Sequence, residues 1–226
     1  ANQQRRELPK IESNFHLRFD TNDYLGLGKQ HIQLKGQASA TSSRLLAGNS
    51  KELEYAEEVI AKAFGGDRVT TLFPSTFQLN VSVIPALVGR EDVVVADKYV
   101  HNSILQGIKL SQAKLYRYTH NDLDAAEAIL QKQASNARRC LIITESVFSM
   151  HGSMPDLDRF MQLANTYGTI SMVDEAHAYG VFGAQGCGRC APSQLPDVWV
   201  GALGKAAGAM GGVTLTSPTL KSYFAN

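Results

Sequence analysis

Apolar positions follow two rhythms along this chain. Short unbroken runs at Val69–Phe73, Val93–Ala96, Lys114–Arg117, Leu141–Thr144, Ile170–Val173, Val198–Ala202 and Val213–Thr216 read as strands. Between them lie stretches near 76–88, 102–111, 122–134 and 156–167 whose apolar residues recur with helical spacing. An earlier helix places Leu53, Ala56, Val59, Ile60, Ala63 and Phe64 on one face. Asn49 with Glu52 forms a capping box at its start, and Gly65-Gly66 stop it. Asn121 caps the segment near 122–134, and Pro155 stands at the entrance to the one near 156–167. Continuous β-branched runs separated by helices predict an α/β fold, a mostly parallel sheet with helices on both faces. Residues 1–35 read as a polar N-terminal arm and 36–226 as the main domain.

Composition narrows the class without naming it. Of 226 residues 44% are hydrophobic and 19% charged, the proportions of a soluble globular protein. A net charge of +1, with the basic residues scattered, offers no field for nucleic acid. No apolar stretch reaches the roughly 18–20 residues of a membrane span, and the N-terminus is not signal-like, so the expectation is a cytoplasmic protein without membrane or nucleic-acid partners. Cys140, Cys187 and Cys190 make no disulfide framework. Cys187 and Cys190 form a lone C-x-x-C without a second ligand pair, so no metal site is expected and both thiols read as incidental.

The chemistry concentrates where strands end. Ile170–Val173 runs into Asp174, with His177 three residues on; Val198–Ala202 is followed by Gly204-Lys205. A carboxylate closing an apolar strand is costly unless a cation meets it. A protonated pyridine nitrogen is one such cation, and a lysine from the next strand supplies a Schiff-base amine, so the set suits pyridoxal phosphate. An internal Lys or Arg would serve Asp174 equally well. A phosphate loop is excluded, since Trp199 and Ala206 stand where Gly and Ser or Thr would be required. Ser75-Thr76-Phe77 open a helix after the first strand, which suits either a phosphate or an ordinary cap. His101 and Ser149 follow two further strands on the same sheet edge, within reach of the ring face and the ring oxygen.

Together these residues resemble the α-oxoamine synthases, a family of fold-type I pyridoxal-phosphate enzymes, from about Asn22 to the end. The resemblance rests on Asn22-Asp23-Tyr24-Leu25-Gly26-Leu27, Ser43-Arg44-Leu45-Leu46-x-Gly48-Asn49, Ser75-x-Phe77-x-x-Asn80, His101-x-Ser103, Glu145-x-Val147-Phe148-Ser149-Met150-x-Gly152, Asp174-x-Ala176-His177 and Gly204-Lys205. It implies Lys205, His177 and Asp174 as catalytic residues, with Ser75, Thr76, Phe77, His101 and Ser149 joining them around the cofactor. It also implies a homodimer that condenses an amino acid, alanine, with a pimeloyl thioester in biotin biosynthesis. A 2-amino-3-ketobutyrate-forming CoA ligase activity, another α-oxoamine synthase, and a non-catalytic α/β binding module are the alternatives. The chain departs from the family at Ala202, where a threonine is usual, at Thr76, where glycine is usual, and at Glu175, which follows Asp174 in place of a second aspartate. The Thr76 hydroxyl is expected to replace in part the one missing at Ala202. The family continues into a smaller C-terminal domain that this sequence lacks, so a bare apolar sheet face and weak turnover are expected.

Overall fold

A computed structural model describes residues 19–30, 40–190 and 194–225. Most of the predicted arm, including Arg5-Arg6, lies outside them. Seven strands form one sheet: β1 (Val69–Phe73), β2 (Val93–Asp97), β3 (Lys114–Tyr118), β4 (Cys140–Glu145), β5 (Ile170–Asp174), β6 (Val198–Ala202) and β7 (Gly212–Thr216). Their order is β1-β7-β6-β5-β4-β2-β3. Strands β2 to β6 are mutually parallel, and β7 runs against both β6 and β1. The C-terminal ends of β1, β2, β3, β4, β5 and β6 therefore share one edge.

Helices cover both faces. The helices are α1 (Lys51–Ala63), α2 (Thr76–Leu87), α3 (Asn102–Ser111), α4 (Leu123–Gln133), α5 (Leu157–Thr166) and α6 (Pro218–Phe224). Side chains alternate across a strand, which divides the core in two. On one side Leu79, Ile84, Ile104 and Ile108 of α2 and α3 pack on Val94, Leu141, Ile143, Met172 and Val200. On the other, Leu130, Phe160 and Leu163 of α4 and α5, with Phe64 after α1, pack on Val95, Ile142, Val173 and Trp199. Gly107 lets α3 approach α2 closely, since a Cβ there would lie 2.5 Å from the Asn80 carbonyl oxygen. Strands β6 and β7 are buried at every position, against the bare face expected there from sequence, while the edge strands β1 and β3 are only partly buried.

Four local readings are corrected. Ser50, not Asn49, caps α1, accepting from the Leu53 N–H; the Asn49 amide instead donates to Glu54. Asp122, not Asn121, caps α4, while Asn121 takes a left-handed turn conformation. On α1 the most buried residue is Glu57, and Val59 stays exposed, because the helix turns a carboxylate inward to meet Arg44 and Lys221. Strands β2, β4 and β5 each run one residue past their apolar runs, through Asp97, Glu145 and Asp174, because backbone pairing carries the polar residue into the sheet edge.

Candidate active site

Five strand ends contribute to one pocket of about 140 Å³, lined by Thr76, Phe77, His101, Ser103, Glu145, Asp174, Ala176, His177 and Lys205. Of the sequence-selected residues, Thr76, Phe77, His101, Asp174, His177 and Lys205 meet there. Ser75 does not line it; its side chain caps α2 by accepting from the Gln78 N–H. Ser149 is also outside. It sits exposed in a turn closed by Gly152 N–H donating to the Phe148 carbonyl, and Phe148 takes the buried place.

Asp174 is 4% exposed. One carboxylate oxygen accepts from the Asn80 amide at 3.1 Å and the other from the Ala176 N–H at 2.9 Å. No lysine or arginine among the described residues pairs with it. The carboxylate thus has no close ion-pair partner, although the Lys205 charge is felt from the same pocket, and it faces the space between them. That arrangement fits a protonated pyridine nitrogen.

Glu145 is the main addition to the residues chosen from sequence. It faces Asp174 in register across β4 and β5, and accepts the His101 backbone N–H. Burial first, then the Asp174 charge, pushes its carboxyl up to about 8. At neutral pH Glu145 therefore holds a proton. His101 is turned by its neighbours: Nδ1 lies 2.8 Å from the Ser103 hydroxyl and accepts from the Ser103 N–H, leaving the proton on Nε2. Asn80 donates to the same Ser103 hydroxyl at 2.9 Å.

Lys205 lies on the β6–β7 connection, where three backbone bonds close a tight turn: Leu203 N–H to Gly211, Ala209 N–H to Leu203 and Gly208 N–H to Lys205. Gly208 has φ 62°, and a Cβ there would lie 2.6 Å from Leu27 Cβ, so the turn admits the N-terminal segment only because this residue is glycine. The Lys205 amine lies 2.6 Å from His177 Nε2, and the Tyr24 hydroxyl lies 2.7 Å from His177 Nδ1. Burial lowers the Lys205 pKa, partly offset by the charges of Asp174 and Glu145. Burial, then the Lys205 charge, lowers His177 to about 4, so its imidazole is neutral over the physiological range.

Elsewhere the cysteines are inert. Cys187 and Cys190 are free and buried, and burial raises both thiols. No metal-binding group of side chains occurs among the described residues, and none of their helices is long and apolar enough to cross a membrane. Glu175 is fully buried and accepts from the Ser146 hydroxyl and the Arg189 and Cys190 N–H groups, which ties down the loop carrying those cysteines.

Comparison with known proteins places the whole chain among relatives. The family described as aminotransferase class I and II matches residues 16–226. An 8-amino-7-oxononanoate synthase of Chlorobaculum parvum is 35% identical over 93% of this chain and 58% of its own length. The crystal structure of 8-amino-7-oxononanoate synthase from Francisella tularensis superposes with a TM-score of 0.74 at 32% identity, covering 91% of this chain and 60% of that one. A serine palmitoyltransferase from S. paucimobilis, solved with a bound PLP–myriocin aldimine, gives 0.75 at 26% identity over 82% of this chain and 47% of that one. The chain spans about three fifths of the length of the curated relatives it matches.

Proposed function

The chain belongs to the aminotransferase class I and II family, and from that footing we propose that it is an α-oxoamine synthase using pyridoxal phosphate. In this reading it joins alanine to a pimeloyl thioester with loss of carbon dioxide, giving 8-amino-7-oxononanoate for biotin synthesis. It works in the cytoplasm as a homodimer. One observation carries the proposal: the Lys205 amine and the Asp174 carboxylate, which has no close ion-pair partner among the described residues, open on one pocket with His101 and His177.

The cofactor, when bound, supplies an electron sink for charge developing on the substrate's α-carbon. Asp174, held by the Asn80 amide and the Ala176 N–H, keeps a proton on the ring nitrogen. Lys205 would hold the cofactor, and its amine would take the α-proton; a lysine whose pKa burial has lowered suits that task. His101, oriented by Ser103, covers the ring face. His177 stays neutral and meets the ring's phenolic oxygen. The first amides of α2, at Thr76 and Phe77, receive the phosphate at the positive end of the helix. Ser149 in this reading reaches the ring oxygen only if its exposed turn moves inward.

The test is direct. The protein is mixed with pyridoxal phosphate, reduced with borohydride and digested; the label belongs on Lys205 and disappears in Lys205→Ala. Label on another residue, or none, overturns the assignment. Absorbance responses to alanine, glycine and serine then separate the proposed substrate from those of a ketobutyrate-forming ligase or a serine-condensing relative.

A further inference from the structure

We propose that Tyr24 is a positioning residue that, with His177, forms a hydrogen-bonded path along which the buried Lys205 amine exchanges its proton with solvent. The proposal rests on the reading of Lys205 as the working amine. It adds a residue from the N-terminal segment to that chemistry.

The direction of the path follows from its outer end. The Tyr24 hydroxyl lies 3.2 Å from Asn22 Oδ1, an amide oxygen that can only accept. The hydroxyl proton is therefore committed outward, and the Tyr24 oxygen is left to accept from His177 Nδ1–H at 2.7 Å. With its proton on Nδ1, His177 presents a bare Nε2 to the Lys205 ammonium at 2.6 Å. Each link then pairs a donor with an acceptor: Lys205 to His177, His177 to Tyr24, Tyr24 to Asn22. The inner end is buried and the outer end is not, since Tyr24 is 45% exposed and Asn22 is also exposed.

Moving a proton outward requires no imidazolium. The Lys205 N–H bond breaks as Nε2–H forms, Nδ1–H passes to the Tyr24 oxygen, and the original Tyr24 proton turns from Asn22 to a solvent water at the 45% exposed hydroxyl and leaves with it. One proton has left the lysine and one has entered solvent, and His177 has changed tautomer. The path is then set for return, with Tyr24 donating to Nδ1 and Nε2–H facing a neutral amine. The depressed basicity of His177 favours this concerted exchange over a charged ring. The ionisable groups facing Lys205 are Asp174 at the end of β5, Glu145 at the end of β4 and His177 itself. Those facing His177 are Lys205, His101 before α3 and Tyr24.

Nitrogen NMR of the full chain without added cofactor tests this. As pH rises through the Lys205 titration, His177 should switch from the Nδ1–H to the Nε2–H tautomer without passing through imidazolium, while His101 keeps its proton on Nε2. In Tyr24→Phe, solvent exchange of the Lys205 amine protons should slow at least about tenfold, and added imidazole, a mobile proton carrier, should restore it. Asn22→Ala, which keeps the tyrosine, should slow exchange less. A His177 tautomer unchanged across the titration, or exchange at the wild-type rate in Tyr24→Phe, would overturn the path. Slowed exchange that imidazole does not restore would do so as well, since it marks a structural effect only. None of these results depends on whether borohydride labels Lys205, so failure of the path and failure of the proposed function are separately visible.

Discussion

At the scale of single residues, the site is governed by what burial does to charge. Glu145, raised to about 8, binds a proton in the folded protein that it would release near 4.5 when unfolded. The folded state is thus the more protonated one between those values. The stability Glu145 contributes is full below about 4.5 and is lost as pH rises through about 8. Thermal unfolding of Glu145→Gln should show a flatter pH profile across that window and a higher Tm than wild type at pH 8. An unchanged slope would mean Glu145 is not the group responsible. For Asp174→Asn the expected outcome is at least tenfold weaker pyridoxal-phosphate binding by absorbance titration, because the pocket's fixed negative charge is gone. Lys205, Asp174 and His177 could be picked out from sequence because each interrupts or follows an apolar strand. Glu145 as a pocket wall and Tyr24 as a partner of His177 could not, although both lay in quoted motifs. Their roles depend on register between β4 and β5, and on where a segment 153 positions away in sequence returns.

Among the elements, the strand ends are tied together as well as aligned. His120, after β3, has Nδ1 2.9 Å from the Asp97 carboxylate at the end of β2 and Nε2 2.7 Å from the Ser153 hydroxyl beyond β4. Its ring meets Phe148 edge-on. Asp97 is fully buried and also accepts from the Tyr99 and Asn121 N–H groups. His120→Ala should cost about 1–3 kcal/mol in urea unfolding, since it leaves a buried carboxylate under-satisfied. The start of α2 lies beside the strand end that carries Ala202. The Thr76 hydroxyl lies 3.5 Å from the Gly201 carbonyl, one residue short of Ala202. Thr76→Ala should weaken cofactor binding severalfold; equal affinity would end the idea that this hydroxyl compensates. The elements themselves were legible because their apolar periods are clean. Their caps were less so: Asn49 and Ser50, or Asn121 and Asp122, are adjacent residues of equal capping ability, and tertiary contacts to Arg44 and Asp97 decided between them.

Over the whole molecule, the sheet is closed at its β1 side by a buried charge. Glu57 receives Arg44 and Lys221 and also the Leu72 N–H, joining the segment before α1, α1 itself, β1 and α6. Burial works against its ionisation, but the hydrogen bonds from Arg44 and Lys221 outweigh it and hold the carboxyl below its usual range. A depressed acid contributes stability above its unfolded pKa that is lost on acidification, so Glu57→Gln should blunt the acid-side fall in Tm. Glu57→Ala should cost about 2–3 kcal/mol, less than a fully enclosed pair because both cations are partly in water. The parallel order of β2 to β5 followed from helices alternating with strands, but β5 and β6 are joined without an α-helix among the described residues and the reversal at β7 had no local mark: its apolar run reads the same in either direction. That reversal makes the Lys205 connection a hairpin between two fully buried strands, stapled by backbone bonds at three points. Such a mount has no hinge. Whatever travel the amine would need in the proposed reaction, between holding a cofactor and collecting a proton, would come from torsions of its own tetramethylene stem, so freezing those rotations, rather than stiffening any loop, is what would stall that chemistry.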